Sequence, residues 1–508
     1  MAHPPLKGVN LVWVTLALSL AVFMEVLDTT IANVVVPVIA GDLGAATTQG
    51  TWVITAFAVA NAISVPLTGF MANRFGEVRV FVISIVGFVI TSWLCGMAPN
   101  LTVLVLFRVV QGFVAGPLIP LSQSLLMASY PPEKRTLALA LWAMTVVVAP
   151  VLGPILGGWI SDNWHWGWIF FINIPVGVVA AIVTWKQLSK RETEIKKTPI
   201  DYTGLVLMII GIGALQMMLD RGKELDWFAS TEIIILAVVA VVCLTYFIIW
   251  ELDEQHPIVD LSLFKERNFT VGTIATSLGF MLYMGTLTLL PLVLQTNLGY
   301  TATWAGLVAA PIGFFPVLLS PIIGRFGHRV DMRWLVTASF LIFACTFYWR
   351  TDFYVDMGIS SVIGPQFWQG LGVAMFFLPL TTITLSHIPN ARLAAAGSLS
   401  NFLRVFMGGV GVSIVTTLWE RREALHHARL TEHINGFSPQ MQNAVQTMSQ
   451  SGLSQEQGLE SMRRLITQQG FIIGSNEIFF AGGLLFIALI VVIWFAKPPF
   501  GSSSGGGH

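Results

Sequence analysis

Apolar runs of roughly 20 residues recur from one end of the chain to the other, separated by short polar stretches. At about 1.5 Å of rise per residue, each run is long enough to cross about 30 Å of hydrocarbon as a helix. The pattern predicts fourteen such segments, at 11–39, 51–72, 80–97, 101–129, 137–160, 169–188, 203–219, 232–252, 270–296, 303–325, 334–349, 362–386, 393–419 and 477–496. The expected fold class is therefore an all-α integral membrane protein with both ends of the chain on one side. One long polar connection interrupts the rhythm, at 420–475, and odd-numbered helices deliver it to the side opposite the termini.

Short loops decide the orientation, because basic residues collect on the cytoplasmic side. With the N-terminus inside, the inner loops carry Arg74 and Arg79, Lys134 and Arg135, and Lys186, Lys190, Arg191, Lys196 and Lys197. Lys265 and Arg267, Arg325, Arg329 and Arg333, and finally Arg392 and Lys497 continue the series. The short outer loops offer little beyond Arg221, Lys223 and Arg350. Both termini are thus expected in the cytoplasm, the 420–475 connection in the periplasm, and Trp164, Trp166 and Trp168 at the outer interface.

Composition narrows the class. Of 508 residues, 55% are hydrophobic and 11% charged, so much of the surface must face a lipid bilayer. A formal net charge of zero gives no reason to expect nucleic acid. Cys95, Cys243 and Cys345 lie in apolar runs without disulfide or metal spacing and read as packing residues. The first apolar run is too long for a cleavable signal peptide. His426, His427 and His433 in the polar connection suggest a metal set, but adjacent histidines diverge on a helix, and a solvated helix or a docking surface is the simpler reading. The stretch from Ser502 to His508 reads as a flexible end, within a tail spanning 497–508.

Candidate chemistry lies inside the apolar runs. Glu25, Asp28, Thr29, Ala32 and Asn33 share one face of the first helix. An acid inside a bilayer costs roughly 3 kcal/mol or more and commonly lines an ion or substrate path. Two acids one turn apart are suited to loading and releasing a proton, with Asp28 the leading candidate and Glu25 the second. Arg108 on the fourth segment matches Asp28 in depth, which predicts a buried pair that protonation would loosen. Arg404 is a second intramembrane arginine, suited to gating or to attracting an anionic head, and Asn33 and Gln111 are further cavity candidates. Each arginine has an alternative role in bonding helix ends. In the fifth segment, Gly153, Pro154, Gly157 and Gly158 predict close packing and a hinge. A weak repeat pairs Arg74-Phe75-Gly76 and Arg79 with Arg325-Phe326-Gly327 and Arg329, which predicts two related six-helix halves, 11–188 and 269–496, with two helices inserted at 189–268.

Together these motifs resemble the major facilitator superfamily, in its fourteen-helix drug:proton antiporter branch of the EmrB/FarB-like kind. Leu27 to Val34 with Pro37 is similar to the branch's first-helix motif, Gly69 through Arg79 to its loop motif, and Arg108-Val109-Val110-Gln111-Gly112 to its fourth-helix motif. Gly153-Pro154 with Gly157-Gly158 is similar to the antiporter signature, and 166–175 and 496–500 resemble the same branch. Two departures stand out: Asn73 where the loop motif has an aspartate, and Ala149 in place of the signature's first glycine. The resemblance implies an inner-membrane exporter that exchanges protons for drugs, uncouplers and long-chain fatty acids, powered by the proton gradient with no cofactor and no metal. It also implies assembly with a periplasmic membrane-fusion adaptor of the EmrA/FarA type and an outer-membrane channel of the TolC/MtrE type. A proton-coupled importer and a membrane-embedded enzyme are the rival readings. The second is disfavoured by histidines confined to loops and termini; an ATP-driven pump lacks its phosphate-binding loop.

Overall fold

A computed structural model describes residues 4–45, 47–50, 52–131, 134–195, 199, 201–222, 225–255, 257–326, 330–355, 357–389, 392–432 and 454–500. Among them, 14 helices are long and apolar enough to cross a membrane, in agreement with the segment count. They are α1 (Gly8–Asp42), α2 (Trp52–Phe75), α3 (Glu77–Gly96), α4 (Leu101–Ser129), α5 (Arg135–Asn163), α6 (Trp168–Leu188) and α7 (Tyr202–Gly222). After them come α8 (Thr231–Asp253), α9 (Arg267–Thr296), α10 (Thr303–Arg325), α11 (Met332–Trp349), α12 (Ile359–Leu385), α13 (Leu393–Glu432) and α14 (Gln455–Ile493).

Local chemistry sets several ends. Gly44 adopts φ +64 after α1, where its N–H and that of Ala45 close onto the last carbonyls. Asn100 and Asp331 cap α4 and α11 by accepting from Val103 and Arg333 backbone N–H groups. Ser454 and Gln457 form a capping box at the start of α14. Leu6 N–H donates to the Ser129 carbonyl at the end of α4, and Lys497 exchanges bonds with Asn268 at the start of α9, so both chain ends meet one face of the bundle. That is the terminal face below; the other is the distal face.

The helix packing repeats. α1 lies against α5 and α6, α2 against α4, and α3 against α6; eight positions on, past the two inserted helices, α9 lies against α13 and α14, α10 against α12, and α11 against α14. One local match is close: a Cβ on Gly112 of α4 would strike the Phe57 carbonyl of α2, and a Cβ on Gly370 of α12 would strike the Ile312 carbonyl preceding the last part of α10. The two sets meet through α2 with α13, where Ser398 Oγ donates to the Val65 carbonyl at 2.6 Å, and through α5 with α10. α7 packs on α2 and α13, and α8 sits outside it.

Several expectations need correction. The polar connection is helical over 420–432 and 455–475, because α13 runs 40 residues and α14 39, about 60 Å each at 1.5 Å per residue and twice the hydrocarbon thickness; 433–453 lie outside the described residues. Their distal ends form a hairpin. Trp419 Nε1 donates to the Phe471 carbonyl and Ser475 Oγ, both at 2.9 Å, and Gly470 and Gly474 let the two backbones approach. His426 lies 3.1 Å from Glu477 and His427 3.3 Å from Glu423, so both are packed in the hairpin instead of freely solvated; His433 lies outside the described residues. Trp166 is core rather than interfacial, whereas Trp164 and Trp168 are half exposed. Cys345 is exposed, Cys243 half-buried, and only Cys95 is core. The tail is docked over Lys497 to Phe500, where Phe500 is buried beside Arg333; residues 501–508 lie outside the description, as do Gly327 and Arg329 of the repeat.

Candidate functional site

The N-terminal set of helices has a polar centre. α1, α3, α4 and α6 are apolar along most of their length, and each contributes one or two buried polar side chains to this centre: Asp28, Ser92, Arg108 with Gln111, and Asn173. The pair anticipated from depth is formed. Arg108 Nη1 lies 2.6 Å from Asp28 Oδ2, with the side chains 1% and 0% exposed. Asp28 Oδ1 accepts from Asn173 Nδ2 at 2.8 Å and Gln111 Nε2 at 3.4 Å. Arg108 Nε donates to the Val53 carbonyl at 3.0 Å, and Nη1 also donates to Gln111 Oε1 at 2.8 Å. Gln111 Nε2 donates in turn to Ser92 Oγ at 2.8 Å, and Cys95 Sγ donates to Gln111 Oε1 at 3.4 Å. The guanidinium lies 4.2 Å from the Phe57 ring centroid and 5.5 Å from that of Phe170, so two aromatic faces enclose what the hydrogen bonds leave open. A buried ion pair is tolerated when its remaining donors and acceptors are satisfied, and this network satisfies both carboxylate oxygens.

Glu25, one turn nearer the terminal face, is 3% exposed and far less well served. Asn61 Nδ2 of α2 donates to its Oε1 at 3.2 Å, while Oε2 has no partner among the described residues. Across the junction of the two sets, Arg404 of α13 is 4% exposed, and its Nε likewise has no partner among the described residues. Trp142 of α5, Phe280 of α9 and Phe377 of α12 surround its guanidinium at centroid distances of 5.9, 5.2 and 5.7 Å. Glu25 and Arg404 act on each other electrostatically. The Asn33 and Pro154 side chains lie outside the description.

Gly153, Gly157 and Gly158 are buried on α5, which runs as one helix from Arg135 to Asn163. A Cβ on Gly153 would strike the Thr30 side chain of α1, and one on Gly157 would lie 2.9 Å from Ile31 Cγ1. Gly158 faces Thr303 of α10, so this motif holds α1 on one side and the opposite set on the other. Gly153→Val should push α1 away and lower thermal stability in detergent by about 1–3 kcal/mol, the usual range for overpacking. An unchanged melting temperature would show that α1 shifts freely.

At the terminal face, Gly69 packs on Ala395 of α13, and Gly76 takes φ +95 where a Cβ would collide with Glu192. Glu192, from the connection after α6, accepts from Val78 and Arg79 N–H at 3.0 Å each, placing a carboxylate on the N-terminus of α3. Arg79 Nε approaches it at 3.9 Å and Arg74 lies over Phe75. An acid thus reaches the loop motif from another segment, whereas Asn73 is exposed.

Sequence reasoning missed Asn173, Ser92, Asn61, Trp142 and Glu192 as partners. It also placed Arg350 in an outer loop. Arg350 is 1% exposed, donates to Gln366 and Gln369 of α12, and has an unpartnered Nε. Gln366-x-x-Gln369-Gly370 repeats the spacing of Arg108-x-x-Gln111-Gly112, a signal that was legible. Among the described residues, no group of three His, Cys, Asp or Glu side chains is arranged to hold a metal ion.

Three comparisons place the chain among known proteins. It is 74% identical over 508 residues to the fatty acid resistance protein FarB of Neisseria gonorrhoeae, covering 100% of both chains. It is 58% identical to the multidrug export protein EmrB of Escherichia coli K12 over 99% of this chain and 98% of that one. Among solved structures, the proton:xylose symporter XylE matches with a TM-score of 0.59 at 14% identity over 96% of this chain and 95% of that one, a likeness of fold alone. The Major Facilitator Superfamily model matches residues 18–412. With fourteen helices among the described residues long and apolar enough to span a membrane, this multi-pass membrane chain belongs to the major facilitator superfamily.

Proposed function

We propose that the chain exchanges protons for lipophilic compounds, exporting drugs, uncouplers or long-chain fatty acids from the cytoplasm or inner leaflet. The observation that carries this reading is the fully buried Asp28–Arg108 pair, because ionisable groups inside a membrane bundle are costly to bury and commonly mark ion or proton paths. In the outward-facing form Asp28 takes a proton, which weakens its hold on Arg108. In the inward-facing form cargo binds and the proton leaves, and rocking of the two sets of helices carries each species across. Relatives named for fatty acid resistance and multidrug export, matching nearly the whole chain, support lipophilic cargo.

The same reading puts the chain in the bacterial inner membrane with the terminal face, rich in arginine and lysine, in the cytoplasm. The α13–α14 hairpin then projects into the periplasm. Its half-exposed Leu425, Leu459 and Leu465 offer a surface to a membrane-fusion adaptor, through which an outer-membrane channel would complete a tripartite exporter. In proteoliposomes with an imposed proton gradient and no ATP, a lipophile that carries no proton itself is expected to speed collapse of the gradient, saturably. Decay at the same rate with and without cargo would end the exchange reading.

A further inference from the structure

We propose that Arg404 and Glu25 form the subsite for an anionic headgroup of the cargo, a carboxylate or sulfonate on an alkyl chain, and that filling it brings a proton onto Glu25. The inference rests on the transport reading above and adds the cargo's charge and its linkage to protons.

Glu25 and Arg404 are buried charged groups that the Asp28 network does not use, and among the described residues each has an unpartnered polar atom, Glu25 Oε2 and Arg404 Nε. A buried charged group with an unpartnered polar atom calls for a further partner, and two that act on each other electrostatically point to a shared one. The surroundings suit an amphiphile. Trp142, Phe280 and Phe377 give apolar walls around the guanidinium, and Thr276, Thr381 and Asn401 line a cavity of about 10 Å³ beside it, room for roughly one water. Cargo therefore enters only when α13 and its neighbours move apart.

Charge decides the linkage. Among the described residues, the charges that act on Glu25 are Asp28 on its own helix and Arg404 on α13. Asp28 is already paired with Arg108, so among the described residues Glu25 is the charge that balances Arg404. With Glu25 ionised, an arriving anion meets a site of no net charge; with Glu25 protonated, it meets a free cation. Anion and proton therefore favour each other at this subsite, and by reciprocity each tightens the other's binding. The proton that moves against cargo must then be held elsewhere, which leaves that role to Asp28.

Octanesulfonate tests this because it stays ionised at every useful pH. Bound to the full chain in phosphatidylcholine nanodiscs at low buffer, it should draw up to about one proton per molecule from solution, with affinity falling up to about tenfold per pH unit once Glu25 is ionised. Glu25→Gln should bind it without proton uptake and with no pH slope, while Arg404→Gln should lose binding at every pH. Proton release on binding to the unmodified chain, no proton change at any pH, or an unchanged slope in Glu25→Gln would overturn the assignment. Competition by phosphatidylglycerol in the nanodisc would overturn it in favour of a lipid headgroup. Binding is read without transport, so failure here leaves exchange at Asp28 standing, and intact uptake alongside failed exchange would leave this subsite standing.

Discussion

Asp28→Asn is expected to reduce proton-driven uphill export to the level of empty vesicles while leaving downhill cargo exchange measurable. Asparagine keeps the shape and one acceptor of the carboxylate but cannot gain or lose a proton, so the chain is held close to the electrostatic state in which Asp28 is protonated. Arg108 retains the Val53 carbonyl, Gln111 and two aromatic faces. A transport cycle has to visit that state, so the fold should tolerate it. The measurement is cargo accumulation in vesicles under an imposed pH gradient beside counterflow with no gradient. Uphill export that survives in this variant removes Asp28 from the coupling step.

The second large effect is expected in stability. Arg108→Met takes away the cation and leaves Asp28 in the bundle with only Asn173 and Gln111 as donors. Removing one partner of a buried pair costs about 3–5 kcal/mol, because the remaining charge is uncompensated. A marked fall in melting temperature and folded yield should follow, and transport that remains should have an altered pH profile. The double variant Asp28→Asn, Arg108→Met should recover most of the lost stability and none of the coupling, since residues in direct contact are not additive. If Arg108→Met is as stable as the unmodified chain, the pair does not hold the helices together.

Much of this was legible from residue order. Apolar run length placed all fourteen helices, and counting residues from the ends of two segments brought Asp28 and Arg108 to one depth before any contact was known. Periodicity tells which face of a helix a residue occupies, however, and not which helix that face meets. Asn173 therefore passed unnoticed inside an apolar stretch, although it supplies the closest amide to Asp28. Trp142 was invisible for the same reason, since an aromatic at helical spacing is ordinarily core. Arg350 was misplaced because it lies just past the last apolar residue of α11, where a chain normally turns into water; here Gln366 and Gln369 draw it inward. Glu192 reaches the start of α3 from over a hundred residues away, a pairing no local pattern encodes. The hairpin was hidden by composition, as polar helices supported by each other read as loop when the only rule applied is hydrocarbon thickness.

That hairpin has a mechanical consequence. Both of its strands of helix are rooted in the same six-helix set, and Trp419, Arg422 and His426 knit them at the base. It behaves as a stalk fixed to one jaw of a clamp, so any tilt of that jaw is magnified at the tip. A fluorescent or spin probe on the stalk, paired with one on the other jaw, would report opening and closing without disturbing the cargo path.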